Sequence, residues 1–161
     1  MTEPASVAWI GLGANIGRRE ANLARMRERF DRHPVHIAAA SRVLVTRPIG
    51  PGAQPDYLNQ VLRVESPQSL RPEEWLTLCR EAETAAGRRP TYRWGPRRGD
   101  ADILVLGARG QLRVDRSDLV VPHPELANRP FECALLAELD PDLEHPDGWR
   151  YADRAGIFVR Q

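Results

Sequence analysis

The chain has 161 residues, 42% hydrophobic and 28% charged, and we expect it to form a single domain over residues 1–161. Its formal net charge of +1 argues against nucleic acid or an anionic membrane as a partner, and no apolar run approaches the length of a membrane-spanning helix. All 23 basic residues are arginine, which excludes a P-loop and Schiff-base chemistry, because both require a lysine.

The two cysteines, Cys79 and Cys133, do not have the spacing of a metal site. They are typical of small core residues in a reducing compartment. The amino-terminal segment lacks the basic start and the long apolar stretch of a signal peptide. We therefore expect a cytoplasmic protein.

The predicted elements follow the order β-α-β-β-α-β. Apolar or alternating stretches predict the strands, and residues at helical spacing, such as Leu23, Met26 and Phe30, predict the helices. In chain order, the elements are strand 6–13, helix 18–30, strand region 36–46, strand 56–66, helix 71–87 and strand 100–106. This order is typical of a ferredoxin-like α+β sandwich, and a short helical segment is predicted after residue 124.

Three glycines occur where the first strand leads into the first helix, in the segment GLGANIG. A dinucleotide-binding fingerprint would need its third glycine at position 16, where this chain has Ile16, whereas the third glycine is Gly17. We interpret Gly11, Gly13 and Gly17 as a tight strand-to-helix connection that lets a flat ligand approach the main chain.

The segment RWGPRRGDADILVLG places two carboxylates at the start of the last strand. Asp100 and Asp102 should project from one face, and Leu104 and Leu106 should continue that face into the core. Two carboxylates this close together favour a bound cation. Mg²⁺ is the expected ion, because it prefers oxygen ligands and often bridges carboxylates to the phosphates of a substrate. The arginines that would bind the phosphates are Arg93, Arg97 and Arg98. The alternative for these charges is a solvated loop with weak surface ion pairs.

Other candidate residues lie elsewhere in the chain. Glu83 lies beside the buried stripe of its helix, and a long loop rich in proline and glycine leads to Tyr57 and Asn59, which share one strand face. The segment VPHPELANRPF adds His123, Asn128, Arg129 and Phe131. Together these residues could supply a slot for a flat ring, an amide that both donates and accepts hydrogen bonds, and a positively charged groove that holds metal.

Five segments, in order and spread over nearly the whole chain, resemble the 6-hydroxymethyl-7,8-dihydropterin pyrophosphokinases of the folate pathway. They are GLGANIG, TRPIGPGAQPDYLN, EAETAAGR, RWGPRRGDADILVLG and VPHPELANRPF. The resemblance implies a ferredoxin-like fold and transfer of pyrophosphate from ATP to the pterin's hydroxymethyl oxygen, which leaves AMP. We expect a monomer that acts on these small molecules.

The resemblance also implies roles for individual residues. Asp100 and Asp102 look like the ligands of two Mg²⁺ ions that bridge the ATP phosphates, and Arg88 and Arg97 look like catalytic arginines on the triphosphate. The residues that look like the pterin pocket are Thr46, Ile49, Tyr57, Asn59, Trp94 and Phe131. Those that look like the nucleotide side are Leu76, Arg80, Glu83, Arg88, Trp94, Arg97, Ile103, His123, Pro124 and Arg129.

Some positions depart from the family pattern. The stretch from 87 to 93 is one residue shorter than in well-known members, Arg47 replaces a common proline, and Gly99 and Ala101 replace larger aliphatic residues. No residue is identified as a general base. We expect the loops 47–56 and 88–97 to close over the substrates and exclude water.

Two alternatives remain at this point. An RNA-binding ferredoxin-like module would need an aromatic RNA-binding strand and a net basic charge, whereas the sequence lacks such a strand and has a net charge of only +1. A pterin-binding homologue without catalysis would be marked by a lost aspartate, whereas both are present.

Overall fold

The fold is organised around one antiparallel sheet, described by a computed structural model over residues 4–47, 55–88 and 98–156. Its strands are β1 (Ala5–Ala14), β2 (His36–Ala40), β3 (Leu44–Thr46), β4 (Tyr57–Leu70) and β5 (Asp100–Leu106). They lie in the order β2–β4–β1–β5, and β3 also pairs with β4, which is long enough to hold both short strands. The strand region predicted over 36–46 is therefore two strands.

Two helices, α1 (Arg19–Phe30) and α2 (Pro72–Ala85), cover one face of this sheet. The apolar stripe of α1 is buried as its spacing predicts, with Leu23, Met26 and Phe30 in the core. In α2, Trp75 is completely buried and its indole N–H donates a hydrogen bond to the Ala5 carbonyl oxygen at 3.0 Å. The larger part of the core lies between these helices and the sheet.

A third helix, α3 (Pro130–Leu139), covers part of the opposite face. It packs over Trp9, Val61 and Leu104, which are buried. Although α3 is largely apolar, neither it nor any other helix within the described ranges is long and apolar enough to cross a membrane. The sequence predicted a helical segment here but not that it would form a second core. Between β5 and α3 the chain also forms a small two-stranded sheet, β6 (Val114–Arg116) and β7 (Leu119–Val121), which the sequence analysis missed.

The prediction that Leu104 and Leu106 share a face with the aspartates is wrong for Leu106. The register between β1 and β5 shifts after Trp9, which pairs with Val105, whereas Ile10 pairs with Ile103. Leu104 therefore packs under α3, and Leu106 packs under α1 and α2. An irregularity of this kind adds a residue to one strand and exchanges the faces beyond it.

Gly99 allows the start of β5 to approach the helices closely. A Cβ atom there would lie 2.6 Å from the Ala86 Cβ and 2.9 Å from the Met26 Sδ. We expect Gly99→Ala to lower the free energy of unfolding by about 1–3 kcal/mol, because the packed elements must shift. Chemical denaturation measures the change. Adding Ala86→Gly should recover part of the loss, and equal destabilisation of both variants would contradict this packing argument.

Candidate active site

The two aspartates lie on the face of β5 that α3 leaves partly open. Asp100 pairs with Gly13 and Asp102 with Gly11 in the register of β1 and β5, and both aspartates are partly exposed. Burial, and after it the carboxylates of Asp100, Glu132 and Glu83, together raise the pKa of Asp102 to about 7, although the positive charge of Arg129 opposes the rise. The surplus of negative charge in this cluster favours a cation.

One arginine already touches the cluster. Arg88 lies just beyond the end of α2, and its Nη1 is 2.5 Å from Glu83 Oε2 and 2.8 Å from Asp100 Oδ1. The same Glu83 oxygen accepts a hydrogen bond from the Ala101 N–H at 3.0 Å. Burial raises the pKa of Glu83, whereas the Ala101 N–H and the Arg88 guanidinium oppose that rise. Glu83 thus ties the end of α2 to the start of β5 and holds Arg88 against the first aspartate.

A second group of polar residues lies beside the aspartates, across β1. A Cβ at Gly13 would lie 3.6 Å from both Asn59 Oδ1 and Tyr57 Cδ1, so the glycine keeps this part of the face open. The Asn59 amide nitrogen donates to Thr46 Oγ1 at 2.6 Å and to the Leu44 carbonyl oxygen at 3.3 Å. Its donor group therefore fixes β3, and its carbonyl oxygen remains toward the open face.

The segment before α3 supplies the remaining charges. The His123 main-chain N–H donates to the Leu104 carbonyl oxygen at 2.8 Å, which attaches this segment to β5. Burial and the positive charge of Arg129 lower the pKa of His123 to about 4. His123 is therefore neutral at pH 7, and Arg129 is close enough to act on both His123 and Asp102. Phe131 is partly buried against the core under α3.

The described residues that were predicted to bind the nucleotide lie on or just beyond α2, in β5 and in the segment before α3. Leu76 and Arg80 share a stripe of α2 with Glu83, where Leu76 is partly buried and Arg80 exposed. The Ile103 side chain is 3% exposed and lies in the core under α1 and α2. Pro124 is exposed. The residues Ile49, Arg93, Trp94 and Arg97 lie outside the described ranges.

Sequence reasoning missed Glu132. Its carboxylate Oε1 accepts a hydrogen bond from Arg129 Nη1 at 3.0 Å, and its Oε2 occupies the space beside Gly11. The available signal was an acid inside the apolar run FECALL, where a helix has no solvated face for it. The interpretation of Gly11 as a seat for a flat ligand therefore changes, because a side chain of this protein fills that space.

Comparison with known proteins adds a direct assignment. A family model described as 7,8-dihydro-6-hydroxymethylpterin-pyrophosphokinase (HPPK) matches residues 9–141. The chain belongs to this family. The resemblance drawn from the five motifs is confirmed.

Members of the HPPK family from several bacteria are similar over most of their length. The 2-amino-4-hydroxy-6-hydroxymethyldihydropteridine pyrophosphokinase of Bacillus subtilis is 34% identical over 155 residues, which cover 96% of this chain and 90% of that protein. The proteins of the same name from Pseudomonas aeruginosa and Methylorubrum extorquens are 33% and 37% identical, and the matches cover 84% of each.

Solved HPPK structures share the fold. A crystal structure of HPPK-DHPS in complex with substrates matches with a TM-score of 0.70 at 12% identity, over 97% of this chain and 44% of that one. Plasmodium falciparum HPPK-DHPS matches with a TM-score of 0.67 at 12% identity, over 95% of this chain and 43% of that one. This similarity shows that the chain shares its mixed α/β architecture with a part of each of these larger proteins.

Proposed function

We propose that this chain transfers pyrophosphate from ATP to the hydroxymethyl group of 6-hydroxymethyl-7,8-dihydropterin and releases AMP, as a step of folate biosynthesis. Membership of the HPPK family and the names of its relatives support this activity. The observation that carries it is the open sheet face on which Asp100 and Asp102 lie beside Tyr57 and Asn59. We further propose that the chain acts as one domain and as a monomer.

The arrangement that presents this face is proposed to be ferredoxin-like. The strand order β2–β4–β1–β5, with every neighbouring pair antiparallel, supports this assignment. The placement of α1 and α2 on the same face also agrees with it. The helix α3 is then an addition to the ferredoxin-like arrangement. It covers part of the second sheet face and limits the site to the part that it leaves uncovered.

The aspartates fit two Mg²⁺ ions bound together with ATP. Mg²⁺ binds proteins through one or two carboxylates and completes its shell with substrate phosphates and water. No three His, Cys, Asp or Glu side chains form a metal cluster in the described ranges, which agrees with a site that substrate completes. Burial and the neighbouring carboxylates raise the pKa of Asp102, and a bound cation would favour its ionised form. Bound Mg²⁺ would neutralise phosphate charge and help to orient the triphosphate.

The protein's own contribution is positioning and charge. For the transfer, the hydroxymethyl oxygen must face the β-phosphorus in line with the bond to the α-phosphate. Asp100 and Asp102 would bind the metal ions. Arg129 lies beside them, and Arg88 forms an ion pair with Asp100. The arginines supply planar pairs of donors for phosphate oxygens. Closure of the loops 47–56 and 88–97 would exclude water, which would otherwise hydrolyse ATP.

The pterin is proposed to lie over Gly13, between Tyr57 and Phe131. An aromatic slot suits a flat ring, and the carbonyl oxygen of Asn59, which lies toward Gly13, suits a ring N–H donor. Thr46, Ile49 and Trp94 complete the proposed pocket.

We expect Asn59→Ala to weaken pterin binding by about 1–3 kcal/mol, because it leaves donors of the buried ligand without a partner. The dissociation constant of ATP should change little. Titration calorimetry with each ligand measures both values. Because Asn59 also ties β4 to β3, melting curves verify that the variant keeps its fold. An equal loss of both ligands in Asn59→Ala would mean that the residue mainly supports the fold.

One assay tests the proposed function directly. The protein is incubated with Mg-ATP and 6-hydroxymethyl-7,8-dihydropterin, and the nucleotide product is identified by chromatography. AMP formed only in the presence of the pterin is expected. ADP would overturn the proposed reaction, and binding of both substrates without AMP would identify a homologue that has lost catalysis.

A further inference from the structure

Among the described residues, Glu132 is the only charged one that is buried, with 8% of its surface exposed. It lies in the first turn of α3, and the other buried residues of this helix are the small or apolar Cys133, Ala134, Leu135 and Leu136. A carboxylate in such surroundings is costly unless a cation and hydrogen bonds compensate for the lost water. The contacts of Glu132 should therefore indicate why an acid is placed here.

The two carboxylate oxygens of Glu132 have different surroundings. Oε1 accepts a hydrogen bond from Arg129 Nη1 at 3.0 Å. Oε2 rests against the main chain of β1, only 2.8 Å from the point where a Cβ of Gly11 would lie. Since Gly11 is the register partner of Asp102, Glu132 Oε2 lies next to the aspartate pair.

Arg129 is held at a position where its charge reaches the site. The half-buried guanidinium acts on Asp102 and on His123, which belong to different segments of the chain. If Arg129 turned away, Glu132 would remain buried without its cation. The cost of an unpaired buried carboxylate therefore keeps the arginine in place.

We propose that Glu132 is a positioning residue that holds Arg129 ready for the ATP triphosphate. The inference rests on the proposed function, in which Arg129 contacts the nucleotide. An arginine that is already ordered loses less side-chain freedom when the ligand binds, so its contacts with phosphate contribute more to affinity. Glu132 itself touches no substrate in this arrangement and acts only through Arg129.

A double-mutant cycle tests this coupling. Titration calorimetry measures the dissociation constant of a non-hydrolysable ATP analogue with Mg²⁺ for the wild type, Glu132→Gln, Arg129→Ala and the double variant. Glu132→Gln should weaken binding about threefold to tenfold, which corresponds to the cost of ordering one long side chain. In the Arg129→Ala background the same change should alter binding less than about twofold. The dissociation constant of the pterin should stay at the wild-type value.

The controls separate coupling from a general effect on the helix. Glu138→Gln removes another α3 carboxylate that pairs with an arginine, Arg42, at 3.1 Å, and it should leave nucleotide binding unchanged. Melting curves verify the fold of each variant. If Glu132→Gln does not fold, Glu132→Asp replaces it in the cycle. The aspartate keeps the charge, but its side chain is too short to reach both Arg129 and the space beside Gly11.

Three results would overturn the inference: unchanged nucleotide binding in Glu132→Gln, tighter binding in it, or an equal loss with and without Arg129. Tighter binding would mean that the carboxylate acts as a repulsive charge on the phosphates. The wild-type product assay keeps the two proposals apart. AMP formation without coupling in the cycle removes only the role of Glu132, whereas ADP formation removes the proposed function.

Discussion

Asp100→Asn and Asp102→Asn are each expected to reduce turnover by about 10²–10³-fold while the fold persists. Each change removes a charged oxygen ligand from the proposed Mg²⁺ site. Steady-state kinetics at limiting and saturating Mg²⁺ measure the loss, and circular dichroism reports the fold. Higher Mg²⁺ should restore only part of the activity, because the substituted amide is a weaker ligand.

The stability of the Asp102→Asn variant is an independent test of whether the aspartate binds metal or supports the fold. Burial and neighbouring carboxylates disfavour the ionised Asp102, as its raised pKa shows, so a neutral asparagine should leave the unliganded protein at least as stable. Asp142→Asn changes an exposed aspartate outside the site and should alter neither activity nor stability. Wild-type rates in the Asp100 and Asp102 variants at limiting Mg²⁺ would exclude the metal assignment. Loss of activity that parallels unfolding would indicate a structural role.

The second large effect is expected for Arg88→Ala, which should lower kcat by about 10²-fold with little change in the dissociation constant of ATP. In this structure, Arg88 is bound to Glu83 and Asp100 at the start of the loop that is expected to close over the substrates. Its contact with the phosphates therefore belongs mainly to the closed complex, where Asp100 holds metal instead. Equilibrium binding of the ATP analogue and steady-state kinetics, measured on the same preparation, give the two values.

Two further variants define the role of Arg88. Arg88→Lys should not restore full activity, because an ammonium group lacks the planar fork of donors. Arg29→Ala removes a different arginine, which pairs with Glu81 at 2.6 Å between α1 and α2, and should leave both values unchanged. If Arg88→Ala weakened ATP binding as much as it slowed turnover, Arg88 would be a static nucleotide contact. The same test applied to Arg97→Ala is expected to raise the Michaelis constant for ATP and also to lower kcat.

Several features of the site could be predicted because they depend on local periodicity. The two-residue spacing of Asp100 and Asp102 places them on one strand face, and the same rule places Tyr57 and Asn59 together. The order of the main elements could also be read from the sequence, because the helical stripes and alternating strands are strong. The family could be recognised because five motifs occur in the right order, and the family comparison confirms it.

Other features could not be predicted because they join residues far apart in the chain. The pairing of Arg88 with Asp100 requires the end of α2 to meet the start of β5. The change of face at Leu106 follows from an irregular pairing with β1, which no pattern within β5 reveals. The division of the strand predicted over 36–46 likewise depends on its partner, since Ser41 hydrogen-bonds to Val61 of β4 between the two parts.

By itself, the sequence determined the main elements, the shared faces of the two aspartates and of Tyr57 and Asn59, and the family, because these follow from short-range spacing and from specific motifs. Only the tertiary structure decided that α3 covers part of the second face, that the carboxylate of Glu132 lies beside Gly11, and that Ile103 points into the core. The physical reason is that packing places distant segments in contact, and burial then sets which charges must pair. The spacing of residues along one strand or helix carries no information on which other segment will cover it.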